Sequence, residues 1–155
     1  MKYKQLNTGE LAALEKEFIH FLSSAQITGQ DWIKMKKEES DKAEELIAVF
    51  SDMVYEKVMS KINYLEYRDA KSLTVFKCGE EEIEMVGLRV KADNPLDLTA
   101  ANVFEQWNES ESNAVEVIKS EKKYKEDRGL EVFGLLESGC LITDNRLFEL
   151  ISSMV

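Results

Sequence analysis

The residues of this 155-residue chain that could carry chemistry are few and scattered. His20 is the single histidine, held between Ile19 and Phe21 in an apolar stretch. A Ser-His-Asp triad would have to use it, yet no G-x-S-x-G elbow accompanies it. Geometry and not residue type defines a triad, so His20 reads as a structural side chain on a helix. Cys78 and Cys140 lie far from each other and from His20, without the paired spacing of a zinc site. Glu80, Glu81, Glu82 and Glu84 cluster, but without the alternating ligands and central glycine of a calcium loop. No Walker phosphate loop is present, and no G-x-G-x-x-G joins a strand to a helix. The sequence therefore predicts no catalytic residue, no metal and no cofactor.

One polar stretch stands out. Lys119, Lys122, Lys123, Lys125 and Arg128 make a locally basic run around Tyr124 in an otherwise acidic chain. Such a run suits an anion or an acidic partner. Glu121, Glu126 and Asp127 partly neutralise it, so a solvated loop leading into a helix is the plainer reading. As a loop, its basic side chains would add little stability. At the C-terminal end, Leu141 and Ile142 lead into Thr143 and Asp144, whose first expected role is to cap the final helix; the functional alternative is that Asp144 or Arg146 meets the basic run. Lys122, Lys123, Tyr124, Asp127, Arg128, Asp144 and Arg146 form the expected contact surface. Should the chain instead bind a small ligand or act as an enzyme, Tyr124, Asp127, Arg128 and Asp144 are the candidates.

The elements that must position these residues follow from periodicity. Asn7–Ser24 is expected to be one helix, opened by an Asn7/Glu10 capping box and striped by Leu11, Leu14, Phe18, Phe21 and Leu22. AQITGQ ends it. A shorter helix starts near Thr28, with Trp32, Ile33 and Met35 apolar. The longest periodic run is Asp41–Arg68. Ala43, Leu46, Ile47, Phe50, Met53, Val54 and Val58 fall in steps of three and four, one helical stripe with Asp41 as its expected cap. Near Ile62 the mix turns β-branched and aromatic, so that helix should pass into a strand.

Beyond Arg68 the period is two. SLTVFKC and EIEMVGLRV predict a hairpin turning at Gly79 and Glu80. Thr99–Asn108 reads as a helix carrying Val103, Phe104 and Trp107, ESESN as a loop, and Ala114–Ile118 as a strand. Glu126–Ser138 reads as a helix ended by Gly139, with a strand as the alternative. Thr143 or Asp144 should cap a last helix carrying Leu147, Phe148, Leu150 and Ile151. The fold class is α+β: N-terminal helices and a long central helix packed on a small, mainly antiparallel sheet, with C-terminal helices, in one domain spanning 1–155.

Helix, three strands, helix, strand is also the order of restriction-endonuclease-like folds. Those nucleases need an acid and then Glu-x-Lys to hold magnesium and position water. SLTVFKC has no acid, Glu84 has no lysine two positions on, and Glu121-Lys122-Lys123 falls past the expected strand. The catalytic signature is absent on this reading, and element order alone does not assign function.

Thirty acidic against twenty basic residues give a net charge of −10, which opposes phosphate-backbone binding. No window approaches the ~20 apolar residues of a membrane span. The first residues lack the apolar core of a signal peptide, and two isolated cysteines do not form a disulfide framework. The sequence thus predicts a cytoplasmic protein with reduced cysteines. VFSDMVYEKVMSKINYLEYR, SEKKYKEDRGLEVFGLLESGCLITD and NRLFELI resemble segments of an uncharacterised bacterial, Bacteroidetes-type family of unknown function. The resemblance covers nearly the whole chain and implies a small single-domain cytoplasmic protein, with no activity or cofactor attached. The expected function is non-enzymatic, through contacts with a protein partner or with a second copy as a homodimer.

Overall fold

The structure is a computed structural model that describes residues 1–104 and 114–154. The chain falls into two compact units, Met1–Met59 and Ser60–Val155. The first is helical: α1 (Thr8–Ala13), α2 (Glu15–Ser24), α3 (Gly29–Glu38) and most of α4 (Ser40–Lys61). Asn7 and Glu10 form the expected capping box, each side chain accepting from the other's backbone N–H. Thr28 and Asp31 repeat it at α3.

The single helix expected over Asn7–Ser24 is two. Leu14 leaves helical geometry, and its N–H is shared between the carbonyls of Glu10 and Leu11 at 3.2 and 3.1 Å. The turn tightens there and the helix restarts at Glu15. α2 is stopped by Gln26, two residues past its last helical residue and in left-handed conformation at φ 62°, where the Ile27 N–H reaches back to the Leu22 carbonyl at 2.9 Å. α4 starts at Ser40, one residue before the expected cap, so Asp41 lies inside the first turn and complements the positive helix end.

The core of this unit is aromatic. Phe18 meets Trp32 and Phe50 edge-on at 5.1 and 5.0 Å between centroids, and Phe21 lies 5.4 Å from Phe50. Phe50, Leu6 and Leu22 are buried; mid-stripe placement leads one to expect burial of both Phe50 and Val54, and Phe50 alone is fully buried. Val54 is half-buried, while Met53 and Val58 stand exposed. The α4 stripe is wider than the surface its neighbours cover. The N-terminal segment is tied down onto α4. Asp52 accepts the backbone N–H groups of Lys2 and Tyr3, and Glu56 accepts the Tyr3 hydroxyl at 2.8 Å. Burial, reinforced by that bond to Glu56, pushes the Tyr3 phenol up to about 12.

The second unit holds one antiparallel sheet of the strands β1 (Tyr64–Arg68), β2 (Ser72–Cys78), β3 (Glu82–Val90), β4 (Val115–Lys123) and β5 (Leu141–Thr143). Their order is β4-β3-β2-β1-β5. Asp69 builds the β1–β2 turn, its carboxylate accepting from the N–H groups of Lys71 and Ser72. Gly79 builds the next one: a Cβ there would stand 2.8 Å from the Glu82 carbonyl. Leu73, Val75, Val86 and Leu88 fill one face, joined by Phe148 and Ile151 of α6 (Asn145–Ser152). Leu65, Phe76 and Ile83 lie on the other, where α5 (Arg128–Glu137) brings Gly134 and Leu135 beside Phe76 and Ile83.

The hairpin, α5 and its glycine stop match the sequence reading; Gly139 sits at φ 104°. Two elements differ. β4 runs to Lys123, five residues past its expected end. Thr99–Asn102 form turns and helix begins at Val103, while the rest of that expected helix, Trp107 included, and the ESESN loop lie outside the described residues. The fold class is α+β, with N-terminal helices including the long α4, the five-stranded sheet and C-terminal helices. Among the described residues no helix is long and apolar enough to cross a membrane.

Candidate functional site

The expected contact residues divide into three groups. Lys122 and Lys123 are exposed on β4, an edge strand, opposite Ile83 and Glu82. They are strand residues and not part of a loop. Charges of both signs along an edge keep it from pairing with other chains, which explains why so polar a segment extends a sheet. Glu121 and Lys123 share a face of β4, with Glu121 opposite Glu84. The Glu-x-Lys pattern is thus in a strand after all. Glu121 is exposed, and among the described residues no three His, Cys, Asp or Glu side chains converge to hold a metal.

Tyr124 and Arg128 form the second group, and the structure brings them together. The Tyr124 hydroxyl donates to the Gly79 carbonyl at 2.8 Å, and Arg128 Nε donates to the same oxygen at 2.9 Å. Arg128 Nη2 donates to the Cys78 carbonyl at 3.1 Å and to the Ile62 carbonyl. One guanidinium therefore fastens the β2–β3 turn to the chain entering β1. Arg128 can do this because Asp127, just before it, caps α5 by accepting the Leu130 N–H. The sequence reading of Arg128 as a side chain of little structural consequence is corrected by these bonds. Its acceptors lie far upstream, so no local pattern announces them.

Arg128 also lines a cleft of about 550 Å3 with Asn63, Tyr64 and Lys77. Lys77 is already engaged, 3.8 Å from Glu84 and over the Phe148 ring at 5.7 Å. Burial pushes the Cys78 thiol up to about 11, so it is not a thiolate at neutral pH. Burial likewise raises the Tyr124 phenol. The cleft is lined by polar side chains, among them Asn63, Lys77 and Arg128, with the protonated Cys78 thiol beside them.

Asp144 and Arg146 form the third group. Asp144 caps α6, accepting the Arg146 N–H at 3.0 Å, and its carboxylate pairs with the Arg146 guanidinium at 2.8 Å. Of the two expected caps it is Asp144 that acts; Thr143 belongs to β5, opposite Tyr64. The hydrogen bonds from Arg146 hold the Asp144 carboxyl below the usual range. A depressed carboxylate contributes stability above its unfolded value, lost as pH falls through the folded one. Asp144→Ala is therefore expected to lower the melting midpoint slightly at neutral pH, with the deficit shrinking in acid, while Asp144→Asn keeps most of the cap. Melts at neutral and acidic pH check this.

Asp144 lines a second cleft, of about 360 Å3, which shares Asn63 and Tyr64 with the Arg128 cleft. Sequence patterning gave no sign of Asn63, Tyr64 and Lys77, because they meet only when β1, β2 and β5 pair. Toward the other end of β5, Tyr67, Arg68, Gly139 and Leu141 line another cleft of about 390 Å3. β5 is the other sheet edge, and it carries no charge. Its Leu141 and Ile142 are 68% and 62% exposed.

A family model matches residues 1–155. The chain belongs to the family of unknown function DUF6495. No curated protein and no solved structure matches it. In this DUF6495 chain the candidate site comprises a braced sheet end, two clefts that share Asn63 and Tyr64, and an apolar edge strand.

Proposed function

We propose that this chain works through protein contact in a bacterial cytoplasm, and that β5 is its contact strand, with a second copy of the chain as the occupant. The observation that carries the reading is the contrast between the two sheet edges. β4 is blunted by lysines and glutamates, while β5 leaves Leu141 and Ile142 exposed on an edge that is unpaired among the described residues. Added strands gain affinity from main-chain hydrogen bonds and specificity from pockets for alternate side chains. β5 has a cleft toward each end, one lined by Leu141 and one by Ile142. Antiparallel pairing of β5 with itself is self-complementary, as a two-fold interface requires. The Asp144–Arg146 pair neutralises the strand's end, so its approach buries no lone charge.

The reading against catalysis rests on the candidate residues. Tyr124, Asp127, Arg128 and Asp144 each hold a backbone group in place. Sedimentation equilibrium tests the proposal. Each copy carries −10, so the dimer should tighten as salt screens that repulsion. Ile142→Lys should give a folded monomer. A chain that stays monomeric at every salt and protein concentration, or a dimer indifferent to Ile142→Lys and Leu141→Lys, would overturn it.

A further inference from the structure

The hydrogen bonds of β1 fix which backbone groups β5 turns to its open edge. The Asp69 N–H donates to the Ser72 carbonyl at 2.9 Å, and the Cys78 N–H to the Asn63 carbonyl at 2.7 Å. The odd-numbered residues of β1 therefore bond to β2, and the antiparallel alternation turns Tyr64 and Glu66 to β5. Their partners Thr143 and Leu141 direct N–H and C=O inward, to β1. No peptide of the strand is cis, so the groups across each peptide plane point the other way. The edge presents, in order, the Cys140 C=O, the Ile142 N–H, the Ile142 C=O and the Asp144 N–H. The groups that would extend this row are already used. The Cys140 N–H donates to the Leu135 carbonyl at 3.0 Å. Asp144 is the N-cap of α6, where its C=O accepts the first bond of the helix.

Acceptor, donor, acceptor, donor is a row that complements itself when reversed about Ile142. Ile142 then exchanges two bonds with the Ile142 of the second copy, and each Asp144 N–H meets the other copy's Cys140 C=O. Every group of the row is satisfied, and the two groups already used fall opposite each other. A two-fold axis at Leu141 would leave the Ile142 C=O and the Asp144 N–H unpaired. An axis at Thr143 would leave the Cys140 C=O and the Ile142 N–H unpaired. Either forms half as many bonds. The side chains agree with the first arrangement. Ile142 lies directly opposite Leu65, on that face of the sheet, so across the axis it meets its own copy. Resting on the reading of β5 as the contact strand, we propose that the two-fold axis of the dimer passes through Ile142 and joins the two five-stranded sheets into one. The Cys140 C=O and the Asp144 N–H set that register.

Amide hydrogen exchange of the full chain, read by NMR over a dilution series, tests the register, with sedimentation equilibrium giving the dimer fraction of each sample. The Leu141 and Thr143 amides, bonded to β1, should be protected in monomer and dimer alike. The Ile142 and Asp144 amides should exchange freely in the monomer and slow together, by about tenfold or more, as the dimer forms. A dimer that protects Ile142 alone has its axis at Leu141, and one that protects Asp144 alone has it at Thr143. Either result overturns this register while leaving β5 as the contact strand. A dimer that protects neither amide, or a chain that stays monomeric, overturns both. Ile142→Pro supplies a second measurement. It removes the outward N–H at an edge position, where proline is tolerated, and leaves the bonds to β1 in place. It should weaken the dimer about tenfold or more, with the melting midpoint of the dilute monomer unchanged. Dimerisation of Ile142→Pro at the parental strength would overturn the register.

Discussion

Phe50→Ala is expected to lower the stability of the chain by about 3–5 kcal/mol, the range for truncating a buried phenylalanine. Phe50 is 4% exposed and sits in the middle of α4. Its ring touches those of Phe18 and Phe21, and the buried Leu6 and Leu22 belong to the same cluster. Truncation removes the transfer free energy of the ring and leaves a cavity that the surrounding helices fill only partly. Val54→Ala, half-buried one turn on, should cost clearly less. Urea denaturation checks both, provided the unfolding slope is unchanged. A loss for Phe50→Ala below about 1 kcal/mol would mean that the aromatic cluster does not hold this unit together.

What the sequence made legible here is what is decided locally. The Asn7/Glu10 box, the Asp144 cap and the Gly139 stop involve partners within a few residues, so their spacing is enough. The strand pair β2–β3 shows because its alternation and its turn lie in one continuous run. Three features were hidden for identifiable reasons. Lys119–Lys123 has the composition of a loop, yet an edge strand has the same composition, because charge is what protects an edge. Met53 and Val58 share the period of the α4 core stripe, and only the placement of neighbouring helices decides which part of a broad stripe is covered. The apolar run at Leu141–Ile142 was visible, but its exposure was not, since that depends on β5 pairing with β1 on one side alone. The candidate clefts were the least legible part. Asn63, Tyr64 and Lys77 carry no pattern of their own and meet through strand pairing.

Arg128→Ala is expected to destabilise the second unit by about 3 kcal/mol, from the loss of charge-assisted hydrogen bonds worth about 1.5–3 kcal/mol each, tempered by water entering a half-buried site. The guanidinium reaches the carbonyls of Ile62, Cys78 and Gly79, which come from the chain entering β1, the end of β2 and the following turn. A planar fork of five donors can serve all three at once; a lysine ammonium cannot hold that spread, so Arg128→Lys should recover only a small part of the loss. Tyr124 keeps one bond to the Gly79 carbonyl, and Tyr124→Phe added to Arg128→Ala should cost more than the sum of the two single changes, because each single change leaves that shared acceptor one of these donors and the pair removes both. Lys123→Ala, on the exposed edge, should stay within about 0.5 kcal/mol of the parent. Hydrogen exchange supplies the local readout. The Cys78 N–H donates to the Asn63 carbonyl at 2.7 Å, and the Gly79 N–H to the Glu82 carbonyl at 3.0 Å. In Arg128→Ala those two amides should lose protection before the amides of β3, because the brace that holds the turn against the chain entering β1 is gone. If Arg128→Ala leaves stability and the exchange of Cys78 and Gly79 unchanged, the guanidinium is not a brace, and its place in the cleft beside Asn63 and Tyr64 would then mark it as a ligand-facing group.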